Sequence, residues 1–259
     1  MITLNGNQIE PTIFPDKTSQ VWQLPEEWLK SDNPHEIRWE FENEREIIDI
    51  AALSMLIKTD VNLFMPFLPY SRQDKPIHNN NAFNLAVFAR IINSMNFTKV
   101  TTLDAHNPDR CAELFQNFQN INPEKYHQKI LARIKPDYVI FPDFGAFRRY
   151  PVMMGERTIF FKKDRDHETG AIKSLSCDQI AELRGMNSAL IVDDICDGGA
   201  TFIEIAKQVK QESPMIKLHL FVTHGIFSRG KEHLLKNGID FIHTTNSIKQ
   251  HTEMEIYPV

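Results

Sequence analysis

The chain has 259 residues, of which 42% are hydrophobic and 24% are charged, and its formal net charge is −5. A chain of this length can bury one large core or two smaller ones. Its net negative charge does not attract the phosphates of a long nucleic acid. No apolar run reaches the roughly 20 residues that a membrane-spanning helix needs. We therefore expect a globular protein with small-molecule ligands, and neither a nucleic acid polymer nor a membrane as a partner.

The amino terminus and the cysteines indicate the compartment. Residues 1–13 lack the basic start and the apolar core of a secretory signal. The three cysteines share no metal-ligand spacing, which is typical of unpaired thiols in a reducing compartment. We expect a cytoplasmic protein with neither disulfides nor structural zinc.

Taken in chain order, the predicted elements alternate between helices and strands. Apolar periodicity predicts helices over residues 44–58, 82–94 and 201–211, and a further helical stretch that ends before Lys135. Short apolar runs predict strands over residues 61–68, 100–103, 138–141, 158–161, 189–192 and 217–223. This alternation favours an α/β fold of mostly parallel sheets flanked by helices. Ligands of such sheets bind at the carboxyl ends of the strands, so the loops that follow the strands are the candidate site.

The loop after the predicted strand 189–192 has the composition of a phosphate-binding turn. Asp193 and Asp194 follow the strand, and the stretch Asp197-Gly198-Gly199-Ala200-Thr201 then opens a helix. Glycines let backbone N–H groups approach a phosphate, and the start of a helix adds a favourable dipole. The two aspartates can hydrogen-bond sugar hydroxyls or face a magnesium ion. The alternative interpretation is an ordinary turn before a capped helix.

Three other strand ends carry candidate ligands. Residues 69–75 follow the strand 61–68 and include Arg72 and Gln73. The planar guanidinium of Arg72 can bind phosphate oxygens, and the amide of Gln73 can donate and accept hydrogen bonds. His106 follows the strand 100–103, and Asp143 follows the strand 138–141. A lone histidine after a strand is usually an ordinary polar loop residue, so these positions acquire meaning only together.

A charged stretch follows the predicted strand 158–161. It contains Lys162, Lys163 and Arg165, and its alternative interpretation is a solvated hairpin. Cations laid over a transferring phosphoryl group would stabilise the charge that develops during an in-line displacement.

Together, these motifs resemble those of the ribose-phosphate pyrophosphokinases. The run 189–201 is similar to the phosphoribosyl-diphosphate loop that these enzymes share with type I phosphoribosyltransferases. Residues 69–75 match a pyrophosphokinase signature for ATP and separate the two families. The similarity extends from about Phe14 to about Ile248, with five motifs in the expected order. The chain is identified as a short, divergent member of this family.

The resemblance implies two phosphoribosyltransferase-like lobes and a role for each motif. The Lys-x-Arg spacing makes Lys163 and Arg165 the catalytic cations, with Lys162 as the rival of Lys163. His106 and Asp143 would help to hold Mg²⁺. ATP would be bound by Phe14, Asp16, Arg72, Gln73 and His106. The ribose phosphate would be held by Asp193, Asp194, Asp197, Gly198, Gly199, Ala200 and Thr201.

The implied partners are ATP and a ribose phosphate. In the family, the segment that contains Phe14 and Asp16 contacts adenine from a neighbouring subunit, which implies a homo-oligomer. Thr18 stands where an acidic residue is usual, and Gly145-Ala146 replaces a pair of glycines. The chain also lacks the opening strand-helix unit of typical members. We place the domain boundary near Ala146, which gives an N-terminal ATP-binding lobe (1–146) and a C-terminal lobe (147–259) with the catalytic and ribose-phosphate loops.

The reaction that the resemblance implies moves the β,γ-diphosphate of Mg-ATP to the 1-hydroxyl of ribose 5-phosphate, giving phosphoribosyl diphosphate and AMP. In the phosphate-binding turn, however, Gly198 stands where a hydroxyl residue is usual, and Ala200 replaces a glycine. These departures leave open the same chemistry on a 5-substituted ribose phosphate such as ADP-ribose. More distant alternatives are a phosphoribosyltransferase and a non-catalytic, nucleotide-binding regulatory subunit.

Overall fold

The computed structural model describes residues 1–76, 78, 80–151, 153, 157–165, 172–249 and 255–259, and only the backbone at residues 164, 165, 172, 173 and 255. The chain divides into two compact units, Met1–Ile121 and Asn122–Val259. Each unit has one six-stranded sheet and a hydrophobic core of its own. The predicted α/β fold of two mostly parallel sheets flanked by helices is confirmed.

The first unit contains eight described strands and three described helices. The strands are β1 (Ile2–Leu4), β2 (Asn7–Ile9), β3 (Thr12–Ile13), β4 (Ser19–Gln20), β5 (His35–Trp39), β6 (Val61–Met65), β7 (Lys99–Leu103) and β8 (Phe118–Ile121). The helices are α1 (Glu46–Leu56), α2 (Asn84–Asn93) and α3 (Pro108–Leu114), and Glu26–Leu29 forms a 3-10 turn. The main sheet has the order β2-β1-β5-β6-β7-β8, in which β5 to β8 are parallel and β1 is antiparallel to both of its neighbours. The hairpin β3-β4 is a separate two-stranded sheet.

The sequence pattern of this unit explains its packing. Four apolar residues of α2 recur at helical spacing and are buried: Leu85, Phe88, Ala89 and Ile92. Inward-facing side chains of β6 alternate along the strand and join the same core: Val61, Leu63 and Met65. β6 ends three residues earlier than predicted, and Pro66, which has no backbone N–H for a sheet ladder, follows its last residue.

The second unit continues the numbering. Its strands are β9 (Tyr138–Phe141), β10 (Thr158–Phe160), β11 (Lys162–Arg165), β12 (Ile172–Ser176), β13 (Ser188–Cys196), β14 (Lys217–Gly225), β15 (Phe241–Thr245) and β16 (Glu255–Tyr257). Its helices are α4 (Glu124–Ile134), α5 (Phe144–Arg149), α6 (Ala200–Glu212) and α7 (Lys231–Leu235), and Ile180–Leu183 forms a 3-10 turn. The sheet order is β10-β9-β13-β14-β15-β16, and every pairing between these strands is parallel. β11 and β12 form an antiparallel pair.

The structure divides the chain earlier than the sequence analysis did. The boundary near Ala146 falls inside the second unit, because β9 pairs with β10 and β13 and so belongs to the second sheet. The sequence pattern predicts no strand at β8, since this short strand is only partly buried and carries no clear alternation. β13 is longer than predicted, because Asp193, Ile195 and Cys196 continue the ladder with β14. Among the described residues, no helix is long and apolar enough to cross a lipid bilayer.

Candidate functional site

In the second unit, residues Asp197–Thr201, here called the phosphate loop, join β13 to α6. Gly199 has a φ of 80°, a left-handed conformation that favours glycine. A Cβ atom at this position would lie 2.6 Å from Cδ2 of the buried Leu234. α6 begins at the next residue, so its first N–H groups open at the carboxyl end of the strand. Such a geometry leaves backbone N–H groups available to an anion, and the ribose-phosphate role of this loop stays a prediction.

Lys163 lies beside the phosphate loop. Its Nζ atom donates to Oγ1 of Thr201 at 3.0 Å. Successive residues of β11 point in opposite directions, and Lys162 pairs with the exposed carboxylate of Asp178. Of the two rival lysines, only Lys163 therefore contacts the phosphate loop. The side chain of Arg165 lies outside the described part of the chain, and its catalytic role stays a prediction.

Asp193 and Asp194 end the strand in different surroundings. Asp194 is 3% exposed and forms an ion pair with Arg149, whose NH1 lies 2.7 Å from Oδ2. Burial, and then the charge and hydrogen bonding of Asp194, raise the pKa of Asp193 well above its ordinary value. The sequence analysis missed Arg149, since only the tertiary structure brings α5 against β13.

Asp143 joins this acidic cluster from the neighbouring strand end. It follows β9, which pairs directly with β13, and its charge contributes to the raised pKa of Asp193. Its Oδ1 atom accepts a hydrogen bond at 2.9 Å from the N–H of Ala146 and caps α5. Asp143 is thus a helix cap as well as a predicted magnesium ligand.

In the first unit, the predicted ATP loop lines a cavity. The cavity has a volume of about 390 Å³ and is lined by Phe67, Tyr70, Ser71, Arg72 and Gln73. Tyr70, for which the sequence indicated no role, has a φ of 61° and donates its hydroxyl to the carboxylate of Glu44. Burial and this carboxylate raise the pKa of Tyr70 to about 12, so the hydroxyl stays protonated as a donor.

One hydrogen bond holds the loop that carries His106 to the ATP loop, and another joins the strands that precede the two loops. β6 and β7 are parallel neighbours, so their carboxyl ends meet at one edge of the sheet. Nδ2 of Asn107 donates to Oδ2 of Asp74 at 2.8 Å, and the hydroxyl of Thr102 donates to the carbonyl of Met65 at 2.7 Å. The structure therefore brings the Arg72-Gln73 loop and the His106 loop together, as the order of the strands requires.

Phe14 and Asp16 lie in the turn between β3 and β4. Oδ1 of Asp16 accepts hydrogen bonds from the backbone N–H and the hydroxyl of Thr18, at 3.0 and 2.7 Å. These bonds lower the pKa of Asp16 below its ordinary value. The hairpin is tied to α1 by the hydroxyl of Ser19, which donates to Asp49 at 2.6 Å. Both predicted adenine contacts thus lie on a separate hairpin, not on the six-stranded sheet.

The two predicted magnesium ligands lie in different units of the chain. His106 belongs to the first unit and Asp143 to the second. Within the described ranges, no three His, Cys, Asp or Glu side chains cluster as a metal site. Mg²⁺ keeps several waters and commonly takes its remaining ligands from one or two carboxylates and substrate phosphates. A carboxylate such as that of Asp143 is a ligand that Mg²⁺ accepts, and the requirement for magnesium stays a prediction.

Comparisons with known proteins show which enzymes this chain resembles in sequence and in fold. No protein-family model matches the chain. The ribose-phosphate pyrophosphokinase of Thermoplasma volcanium is 23% identical over 216 residues, which cover 82% of this chain and 73% of that protein. The ribose-phosphate pyrophosphokinase of Saccharolobus solfataricus is 22% identical over 255 residues, which cover 93% of this chain and 84% of that protein.

A solved structure shows the same fold. It is the crystal structure of phosphoribosylpyrophosphate synthetase from Mycobacterium smegmatis, with a TM-score of 0.69, an identity of 19%, and a match that covers 82% of this chain and 72% of that one. The likeness confirms the predicted fold class, and the curated relatives carry the name of a diphosphotransferase enzyme. The motifs, the fold and these relatives agree: this chain is a distant homologue of the ribose-phosphate pyrophosphokinases.

Proposed function

We propose that this chain moves the β,γ-diphosphate of Mg-ATP to the 1-hydroxyl of ribose 5-phosphate, giving phosphoribosyl diphosphate and AMP. The observation that carries the proposal is the contact of Lys163 with Thr201 at 3.0 Å. It sets a flexible cation at the start of α6, where a phosphate is favoured by the helix dipole. A cation beside a phosphate loop is the arrangement that phosphoryl transfer needs.

The second unit supplies the groups that would hold the sugar. The phosphate loop would bind the 5-phosphate through backbone N–H groups, and Asp193 and Asp194 would accept hydrogen bonds from ribose hydroxyls. The 1-hydroxyl oxygen would attack the β-phosphorus of ATP as it loses its proton, and the bond from that phosphorus to the bridging α,β oxygen would break. Lys163 and Arg165 would stabilise the charge that spreads over the transferring phosphoryl group.

The first unit supplies the groups that would hold ATP. The cavity beside Arg72 and Gln73 offers a guanidinium fork and an amide to phosphate oxygens, and His106 stands on the neighbouring loop. Bound Mg²⁺ would neutralise the negative charge of the ATP phosphates. Phe14 and Asp16 are exposed on their hairpin, which supports a contact with adenine in a neighbouring subunit of a homo-oligomer.

A second candidate keeps this chemistry and changes the acceptor to a 5-substituted ribose phosphate such as ADP-ribose. The observation that favours it lies in the phosphate loop itself. Gly198 stands where a hydroxyl residue is usual, so the loop lacks one side-chain hydrogen-bond donor, which weakens its binding of a terminal phosphate monoester.

The decisive experiment is an incubation of the protein with Mg-ATP and either ribose 5-phosphate or ADP-ribose, with the products resolved by mass. AMP together with a diphosphorylated sugar supports the proposal, and the sugar that reacts identifies the acceptor. Excess chelator should stop the turnover. Binding of nucleotide without AMP formation from either sugar would favour a regulatory subunit, and turnover of phosphoribosyl diphosphate with a nucleobase would favour a phosphoribosyltransferase.

A further inference from the structure

Two loops at the carboxyl ends of neighbouring strands are fastened together in the second unit. β13 and β14 are parallel neighbours, so the loops that follow them leave the same edge of the sheet. The backbone N–H groups of Ile226 and Phe227 both donate to the carbonyl oxygen of Cys196, at 2.9 and 3.1 Å. Residues 226–230 are thereby held against the phosphate loop.

Gly198 gives the phosphate loop an opening the size of a Cβ atom on the side that faces this segment. A Cβ atom at position 198 would lie 3.7 Å from Cδ of Arg229 and 3.9 Å from Oγ of Ser228. The φ angle of Gly198 is outside the left-handed region, so the backbone does not require a glycine there. The missing side chain therefore leaves room beside two polar side chains of the adjoining loop.

Arg229 has the chemistry to hold an anion at this opening. Its side chain is exposed, and the contact of its NH1 with Nε2 of His233 is long, at 3.5 Å. A guanidinium presents a planar fork that matches two phosphate oxygens. Lys163 already stands at Thr201, so Arg229 would place a second cation near the opposite end of the phosphate loop.

We propose that Arg229, with Ser228 beside it, contacts the phosphoryl group carried on the 5-oxygen of the ribose acceptor and replaces the side-chain donor that Gly198 lacks. This inference rests on the proposed function and adds specificity-determining residues to it. A phosphate monoester and a 5-diphosphate that bears a further group share this chemistry, and the two sugars of the test distinguish them.

The test measures the binding of ribose 5-phosphate and of ADP-ribose to the intact protein by calorimetry without ATP. Arg229→Ala should weaken the binding of at least one sugar about tenfold or more, because it removes a charge-assisted contact. Arg229→Lys should recover part of the loss. The matched control is Arg184→Ala, which removes the same charge from an exposed pair with Glu212. The affinity for ATP should stay within a small factor in every variant.

Gly198→Ser in the Arg229→Ala background gives an independent check. The φ angle of residue 198 lies outside the left-handed region and a Cβ atom there would make only ordinary contacts, so the hydroxyl of a serine should restore part of the sugar affinity. Loss of affinity for both sugars assigns the contact to the phosphoryl group that they share, and loss for ADP-ribose alone assigns it to the substituted acceptor. Unchanged affinity for both sugars in Arg229→Ala would overturn the inference. So would an equal loss in Arg184→Ala. A native protein that binds neither sugar refutes the proposed function itself, and the inference with it.

Discussion

At the scale of single residues, Lys162 and Lys163 show how one position changes a role. The two lysines are adjacent on β11, yet Lys163 bonds to Thr201 in the phosphate loop and Lys162 pairs with Asp178 on the surface. The alternation of a strand sends neighbouring side chains to opposite sides. A catalytic cation and a surface charge can therefore share one short segment.

Lys163→Ala should lower the turnover rate by orders of magnitude and leave the affinity for ATP within a small factor. The reason is that a contact made mainly in the transition state affects the rate more than ground-state binding. Steady-state kinetics with a separate ATP-binding measurement check this. Lys162→Ala is the control, since it removes the same charge one residue away and should stay active. Inactivity of Lys162→Ala with activity of Lys163→Ala would reverse the assignment.

The ion pair of Arg149 with Asp194 predicts a stability effect. The Asp194 side chain is only 4% exposed, so Arg149→Met leaves its carboxylate buried beside an apolar chain. Breaking a buried pair on one side costs about 3–5 kcal/mol, which denaturant unfolding can measure. Asp194→Asn added to Arg149→Met should recover part of that loss, because it removes the buried charge. A double variant less stable than Arg149→Met would contradict this account.

His127 predicts a dependence of stability on pH. Its ring is 1% exposed between Tyr150 and Phe221, and burial lowers its pKa to about 3 from 6.5. At pH values between about 3 and 6.5, His127 binds a proton in the unfolded chain but not in the folded chain. The free energy of unfolding should therefore fall by up to about 1.4 kcal/mol per pH unit as the pH drops below 6.5.

His127→Phe keeps an aromatic ring and removes the titration. In the described structure, both nitrogens of His127 lack hydrogen-bond partners, so the substitution also removes two unsatisfied polar atoms. The variant should gain stability relative to the native chain as the pH falls from 7 to 5, by about 2 kcal/mol at pH 5. Melting curves at several pH values measure the difference. Parallel curves for the two proteins would show that His127 does not cause the pH dependence.

At the scale of elements, the turn into α6 depends on one of its two glycines. Gly199 has a φ of 80°, and a Cβ atom added there would lie 2.6 Å from the side chain of Leu234. A Cβ atom added at Gly198 would make only ordinary contacts. Gly199→Ala should cost at least about 1–2 kcal/mol from its left-handed backbone alone. Gly198→Ala is the control and should leave the melting temperature nearly unchanged. Equal melting temperatures for the two variants would contradict the strain assigned to Gly199.

At the scale of the whole molecule, each unit has its own core, and the tryptophans report on one of them. Trp22, Trp28 and Trp39 are the only tryptophans of the chain, and all lie in the first unit. Leu63 is fully buried in that unit and Ile191 in the second. The two cores can therefore be perturbed one at a time.

Leu63→Ala should lower the stability measured by tryptophan fluorescence by about 2–5 kcal/mol, because it leaves a cavity in the core around Trp39. Ile191→Ala is the matched change in the other core, and it should lower the stability of the second unit by a similar amount, as measured by circular dichroism. If Leu63→Ala does not shift the midpoint of the unfolding transition followed by fluorescence, the tryptophans do not report on this core.

The sequence by itself predicted the α/β alternation, most of the central strands and helices, and the loops that carry the candidate site residues. Parallel sheets place the carboxyl ends of their strands at one edge, so the residues after β6, β7, β9 and β13 could be identified from local patterns alone. The sequence did not determine that the first unit ends at Ile121. β8 ends that unit, and the composition of such a short, half-buried strand differs little from that of a polar helix.

Only the tertiary structure decided the contacts between residues far apart in the chain. The pairing of Arg149 with Asp194, the bond of Lys163 to Thr201 and the approach of Arg229 to Gly198 each join different elements. None of these contacts leaves a periodicity or a spacing in the sequence. Their geometry follows from the register of neighbouring strands and the packing of helices on the sheet, which local sequence patterns do not specify.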